Sequence, residues 1–174
     1  MIALHIDSNN DTNYFSNLFD DLSDCIFLYN PSRDEFEDVL AKNPNDTLLC
    51  IGHGSPSGLF NSEIAGYIID SKNVHLLANR KVIGIWCFAS TFAKNNNLHG
   101  FFTGMFISNA FEASCYETEH TDEEVFAQNI KFSKAINKLI NDNVPLSEWN
   151  SILQEFHDDV DFVNFNYDLL TYYP

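Results

Sequence analysis

A chain of 174 residues, 45% hydrophobic and carrying 16 Phe and 7 Tyr, has the length of one domain and the apolar mass for a packed core, which excludes a disordered polymer. Its 25 acidic and 9 basic residues leave a net charge of −16, which repels nucleic acid and anionic lipid and favours basic ligands. No stretch approaches the ~18 consecutive apolar residues of a membrane span, the start MIALHIDSNNDTNYF turns polar too early for a secretory signal, and the four cysteines are widely spaced with no CxxC; a cytoplasmic protein with free thiols is expected.

Taken in chain order, IALHI (2–6) is an apolar run suited to a buried strand, and Phe15, Leu18, Phe19 and Leu22 follow at helical spacing. CIFLY (25–29) reads as a second strand. Ser32 and Glu35 have the spacing of a capping box ahead of Phe36, Val39 and Leu40, which predicts a helix. TLLCI (47–51) is the third strand and runs into Gly52-His53-Gly54; beyond a Ser/Pro/Gly loop, GYIID (66–70) predicts a small extra strand and VHLLA (74–78) part of a helix. KVIGIW (81–86) is the fourth main strand and leads directly to Cys87, and GMFISN (104–109) is expected to be the fifth.

Thr121 and Glu124 repeat the capping-box spacing. They open a long helix striped by Val125, Phe126, Ile130, Ile136, Leu139 and Ile140, with Lys131, Lys134 and Lys138 on its solvated side. Trp149, Ile152, Leu153 and Phe156 mark a further helix, and FVNFNYDLLTYY (162–173) is expected to form a terminal strand. Strands apolar on both faces and separated by helices predict an α/β fold, a three-layer α/β/α sandwich around a mostly parallel sheet, as one domain over 1–174.

Open parallel sheets carry their sites beyond the carboxyl ends of the strands. Two such ends bear reactive side chains, His53 after TLLCIG and Cys87 after KVIGIW. A thiol is a good nucleophile only as thiolate, and a neighbouring imidazole can take its proton. Gly52 and Gly54 permit a sharp turn around His53, and the N–H groups of Gly54 and Cys87 are candidates for holding an oxyanion. The plain alternative makes His53 a turn residue and Cys87 an inert core thiol, the reading given to Cys25 and Cys50. Cys50-x-x-His53 with Cys87 also has zinc half-site spacing. Strand alternation sends Cys50 and His53 to opposite faces, however, and no second ligand pair completes a tetrahedral set, so neither a metal nor another cofactor is expected. His5, His75, His99, His120 and His157 fall in no pattern that assigns them a role.

TLLCIGHGSPSGLF followed by KVIGIWCFAS resembles the two signature segments of caspase-like (clan CD) cysteine peptidases, the group of caspases, metacaspases, gingipains and CHAT domains. The resemblance implies a caspase-like fold and a cysteine endopeptidase using a dyad, with His53 as the family histidine, Gly54 as the adjacent oxyanion glycine and Cys87 as the nucleophile. It also implies that the substrate side chain is held near the ends of the first and fifth strands, where Asp7, Ser108 and Asn109 stand, with Glu112 just beyond. Asp7 and the acidic chain together predict cleavage after a basic residue; the competing role for Asp7 is to cap the Asp/Asn-rich turn 7–13. The partners expected are a protein or peptide substrate and a regulatory partner or a second copy. The alternative is a catalytically silent or partner-activated scaffold. A different Cys/His hydrolase or acyl transferase on a flavodoxin-like sheet is disfavoured, because no Gly-x-Cys-x-Gly elbow surrounds Cys87.

Overall fold

The computed structural model describes residues 1–7, 12–156 and 160–174, so His157 and residues 8–11 of the Asp/Asn-rich run lie outside the described part. Strands β1 (Ile2–His5), β2 (Ile26–Tyr29), β3 (Leu48–Ile51), β7 (Lys81–Ile85), β8 (His99–Phe102) and β9 (Thr171–Tyr173) form one sheet in the order β2-β1-β3-β7-β8-β9. All neighbours in it are parallel except β8 and β9. The short strands β4 (Gly54–Ser55), β5 (Gly58–Asn61) and β6 (Gly66–Ile69) make a separate antiparallel sheet inserted between β3 and β7.

Period-2 alternation divides the sheet's side chains between two cores. Ala3, Leu49, Ile51, Ile83, Ile85 and Phe101 belong to one, and Ile2, Leu4, Leu48, Cys50, Val82 and Phe102 to the other. Helices α1 (Arg33–Lys42) and α2 (Ala89–Asn95) close the second core with Phe36, Leu40 and Phe92. On the opposite face, past the one-turn helix α3 (Ala110–Cys115), helices α4 (Asp122–Asn141), α5 (Leu146–Gln154) and α6 (Asp161–Asp168) bury Phe132, Trp149 and Phe162 in the first core. Each wholly buried side chain of this size contributes roughly 2–3 kcal/mol of apolar transfer. The result is the three-layer α/β/α sandwich the pattern predicts. Ser32 caps α1 by accepting from the Glu35 N–H, and Thr121 with Glu124 completes the reciprocal box at α4.

Four elements differ from expectation. The fifth parallel strand is His99–Phe102 and not 104–109. Gly100 sits at φ +143° with the place of a Cβ only 1.8 Å from the Val82 carbonyl oxygen, so β8 approaches β7 through a bare backbone. GMFISN is a loop whose Phe106 and Ile107 are nonetheless buried, and the Ile107 backbone bonds to the Asn166 side chain instead of a strand. Residues 161–168 are helical: Phe162, Val163, Asn166 and Tyr167 are its buried set, at i, i+1, i+4 and i+5, and only Thr171–Tyr173 is a strand. The stripe from Phe15 runs as a 3₁₀ helix over Asn13–Phe19, and VHLLA contributes only a 3₁₀ turn at Val74–Leu76. Among the described residues no helix is long and apolar enough to cross a membrane.

Candidate active site

β3 and β7 are hydrogen-bonded neighbours with Ile51 opposite Ile85, and the Gly52 N–H donates to the Ile85 carbonyl at 3.2 Å. His53 and Cys87 each stand two residues beyond that pair, so the two side chains leave the same end of the sheet side by side. Both line one narrow cleft, open at its mouth, whose interior has room for about one water. Thr12, Tyr14 and Phe15 wall it from the 3₁₀ helix after β1, and Phe106 and Ser108 wall it from the loop after β8. Every wall thus comes from beyond a strand's carboxyl end, where α/β sheets place their sites.

The turns at these two ends are tightly determined. A Cβ at Gly52, where φ is +154°, would stand 2.7 Å from the Ile6 carbonyl oxygen. A Cβ at Gly54 would stand 2.1 Å from Cδ1 of Trp86 and 2.7 Å from the Gly58 carbonyl oxygen. Directly after Cys87, Phe88 adopts φ 65°, ψ 24° and initiates α2. A left-handed conformation at a non-glycine residue costs about 1–2 kcal/mol and marks a position fixed by its surroundings. Phe88 is held there by its N–H bond to the Gly104 carbonyl at 2.8 Å.

The Cys87 thiol is half-buried and donates to the Phe106 carbonyl at 3.5 Å. Burial pushes it up to about 11, and the negative charge of Glu112 adds to the rise. At neutral pH the resting thiol is protonated. The loop carrying the Phe106 carbonyl is pinned by buried amides. The Ile107 N–H donates to Asn166 Oδ1 at 2.7 Å, while Asn166 Nδ2 and Asn129 Nδ2 donate to the Ile107 carbonyl at 3.1 and 3.5 Å. The Ser108 N–H and hydroxyl both donate to Glu112 Oε2 at 2.7 Å.

Gly54 faces Leu59 across the inserted hairpin, and the Phe60 N–H bonds to the His53 carbonyl at 2.8 Å. That pattern makes Gly54 a non-hydrogen-bonded position, so its own N–H points away from β5.

The other expected site residues are distributed differently. Ser108 lines the cleft, but Asn109 caps α3 by accepting from the Glu112 N–H at 2.8 Å. Asp7 is 4% exposed and does not line the cleft. Its Oδ1 accepts from the Thr12 N–H and hydroxyl at 2.9 Å each, and its Oδ2 accepts from the Tyr29 hydroxyl at 3.2 Å. This is the loop-capping arrangement. Cys50 packs in the core behind the sheet, where burial raises its thiol strongly, so the Cys50-His53 half-site is not assembled. Among the described residues no group of three or more His, Cys, Asp or Glu side chains is placed to hold a metal ion. Thr12, Tyr14 and Phe106 are cleft residues that sequence reasoning missed. The available signal was that the segments after the first and fifth strands must leave the same sheet end as His53 and Cys87.

Comparison with family models, curated proteins and solved structures finds no match.

Proposed function

We propose that this chain is a cysteine hydrolase of the caspase-like kind that cleaves peptide bonds with Cys87 and His53. The observation carrying the proposal is that the two residues stand at the same register beyond adjacent parallel strands and face one cleft. The left-handed turn that fixes Cys87 at the strand-to-helix corner supports it.

In the proposed reaction His53 takes the thiol proton and the Cys87 sulfur attacks the substrate carbonyl carbon, forming a C–S bond. The N–H groups of Gly54 and Cys87 receive the negative charge that develops on the carbonyl oxygen. The C–N bond breaks as His53 returns the proton to the departing amine, leaving a thioester. Water then attacks the thioester while His53 takes its proton and passes it to sulfur, releasing the acid.

A conditional form of this activity has its own support. In the resting state the thiol is neutral and bound to the Phe106 carbonyl, and the cleft interior has room for about one water. Substrate or a partner protein must draw the 106–108 loop off the sulfur before attack. The expected preference for a basic residue is not carried into this reading, because the oxygens of Asp7 are already engaged and the net charge of −16 places no carboxylate in the cleft.

A peptidyl chloromethyl ketone followed by mass mapping tests the reading. Labelling should fall on Cys87 ahead of exposed Cys115 and half-buried Cys25, and should be lost in His53→Ala. Labelling that follows exposure alone and ignores His53 ends the proposal.

A further inference from the structure

Beside the cleft, α4 offers an exposed ring to which the reaction gives no role. The Ala110 N–H donates to Asp122 Oδ1 at 2.8 Å, and Asn129 Nδ2 donates to the Ile107 carbonyl at 3.5 Å. Phe126 lies one turn after Asp122 and three residues before Asn129, on the face of α4 that runs along 107–110. Its ring meets the cleft residue Tyr14 edge-on at 5.7 Å between centroids, yet it remains 47% exposed. A half-exposed phenyl ring seated on a cleft wall is apolar surface still to be covered.

We infer that Phe126 is a specificity-determining residue, the seat for a bulky apolar side chain on the acyl side of the scissile bond. This rests on the hydrolase reading, and the topology supplies the direction. In the order β3-β7-β8, His53 and the 106–108 loop flank Cys87 from opposite sides. His53 protonates the leaving amine, so the acyl part lies on the Ser108 side of Cys87, where the 107–110 segment meets the turns of α4 that flank Phe126. The cleft interior has room for about one water, so a large side chain rests at the mouth on the Tyr14–Phe126 edge and is not swallowed by the floor. Glu112, whose charge is felt at Cys87, disfavours an acidic side chain in the same place.

Acetyl-Ala-Xaa chloromethyl ketones with Xaa as Phe, Leu, Ala, Arg or Asp test the inference without requiring turnover. The rate of Cys87 alkylation, read by intact mass and peptide mapping, should be on the order of 10-fold higher for Phe and Leu than for Ala. Phe126→Ala should bring the Phe/Ala ratio close to one while leaving iodoacetamide alkylation of Cys87 unchanged, and Phe126→Leu should keep most of the ratio. Arg reacting faster than Phe, equal rates for all five, or an unaltered ratio in Phe126→Ala would each overturn the seat and leave the hydrolase reading standing. Cys87 alkylation by iodoacetamide but by none of the ketones removes the hydrolase reading and the seat together.

Discussion

Gly54 and Trp86 compete for one space: a Cβ on residue 54 would stand 2.1 Å from Trp86 Cδ1. The indole is 2% exposed, lies over Gly84 at its other end and packs against Phe92, so it has nowhere to retreat. The bulky residue before Cys87 therefore requires the bare backbone after His53. Each candidate catalytic residue is thus positioned through the neighbour of the other.

Gly54→Ala should destabilise the fold by about 2–3 kcal/mol, the usual cost of overpacking a tight site. The cost should shrink by more than ~1 kcal/mol in a Trp86→Leu background, because the two positions share one volume. Urea unfolding of both single variants and the double variant measures the coupling. Additive costs would show that the collision is relieved elsewhere.

Asn166→Ala tests whether the 106–108 loop restrains the thiol. The variant removes both hydrogen bonds to Ile107 and should cost about 2–4 kcal/mol for buried groups left unsatisfied. In the folded variant, iodoacetamide should alkylate Cys87 faster at neutral pH than in the parent. Asn129→Ala, which loses the single 3.5 Å contact, should do the same to a lesser degree. Equal Cys87 reactivity in folded Asn166→Ala would remove the loop from control of the sulfur.

The main strands and the shared sheet end of His53 and Cys87 were legible because β1, β3 and β7 are buried along nearly their whole length and read as apolar runs. The fifth strand was hidden by brevity: HGFF has four residues and a glycine whose role, close approach to Val82, exists only in three dimensions. GMFISN resembled a strand because a loop that fills the core must be apolar too, its backbone satisfied by Asn166 from 59 residues away. In FVNFNYD the apolar and polar residues alternate almost as in a strand, while burial follows the helical set Phe162, Val163, Asn166 and Tyr167. The capping of the 7–13 turn by Asp7, through Thr12, was one of the two roles the local sequence offered, whereas its second partner, Tyr29 on the neighbouring strand, is one that no local spacing reveals.

Asp7→Ala should therefore behave as a stability variant. It deletes the acceptor of three hydrogen bonds from Thr12 and Tyr29; the buried Thr12 N–H left unmatched costs about 1–3 kcal/mol, while the hydroxyl of Tyr29, a residue 52% exposed, can turn to solvent and that of Thr12 keeps the Ile6 carbonyl. The unfolding midpoint should drop well below that of the parent. The relative alkylation rates of Arg and Phe ketones should not change. A selective loss of the Arg reaction would return Asp7 to the substrate pocket.

His5 supplies a pH dependence whose sign follows from its surroundings. The ring is 3% exposed, touches Phe19 and Tyr29, and places Nε2 3.0 Å from the Thr12 hydroxyl. Burial lowers it below the unfolded value of 6.5, and the charge of Asp7 opposes that shift only in part. Below pH 6.5 the unfolded chain binds a proton at this position that the folded chain refuses, so stability is full above that value and falls as the pH drops through it. The slope from one such group approaches ~1.4 kcal/mol per pH unit. Most carboxylates titrate lower, and the other histidines are common to parent and variant, so comparison with His5→Gln between pH 7.5 and 5.5 isolates the effect. The parent should lose stability across this window more steeply than His5→Gln. Parallel curves would mean that the folded protein protonates His5 as readily as the unfolded chain does, and the buried neutral imidazole would have to be abandoned.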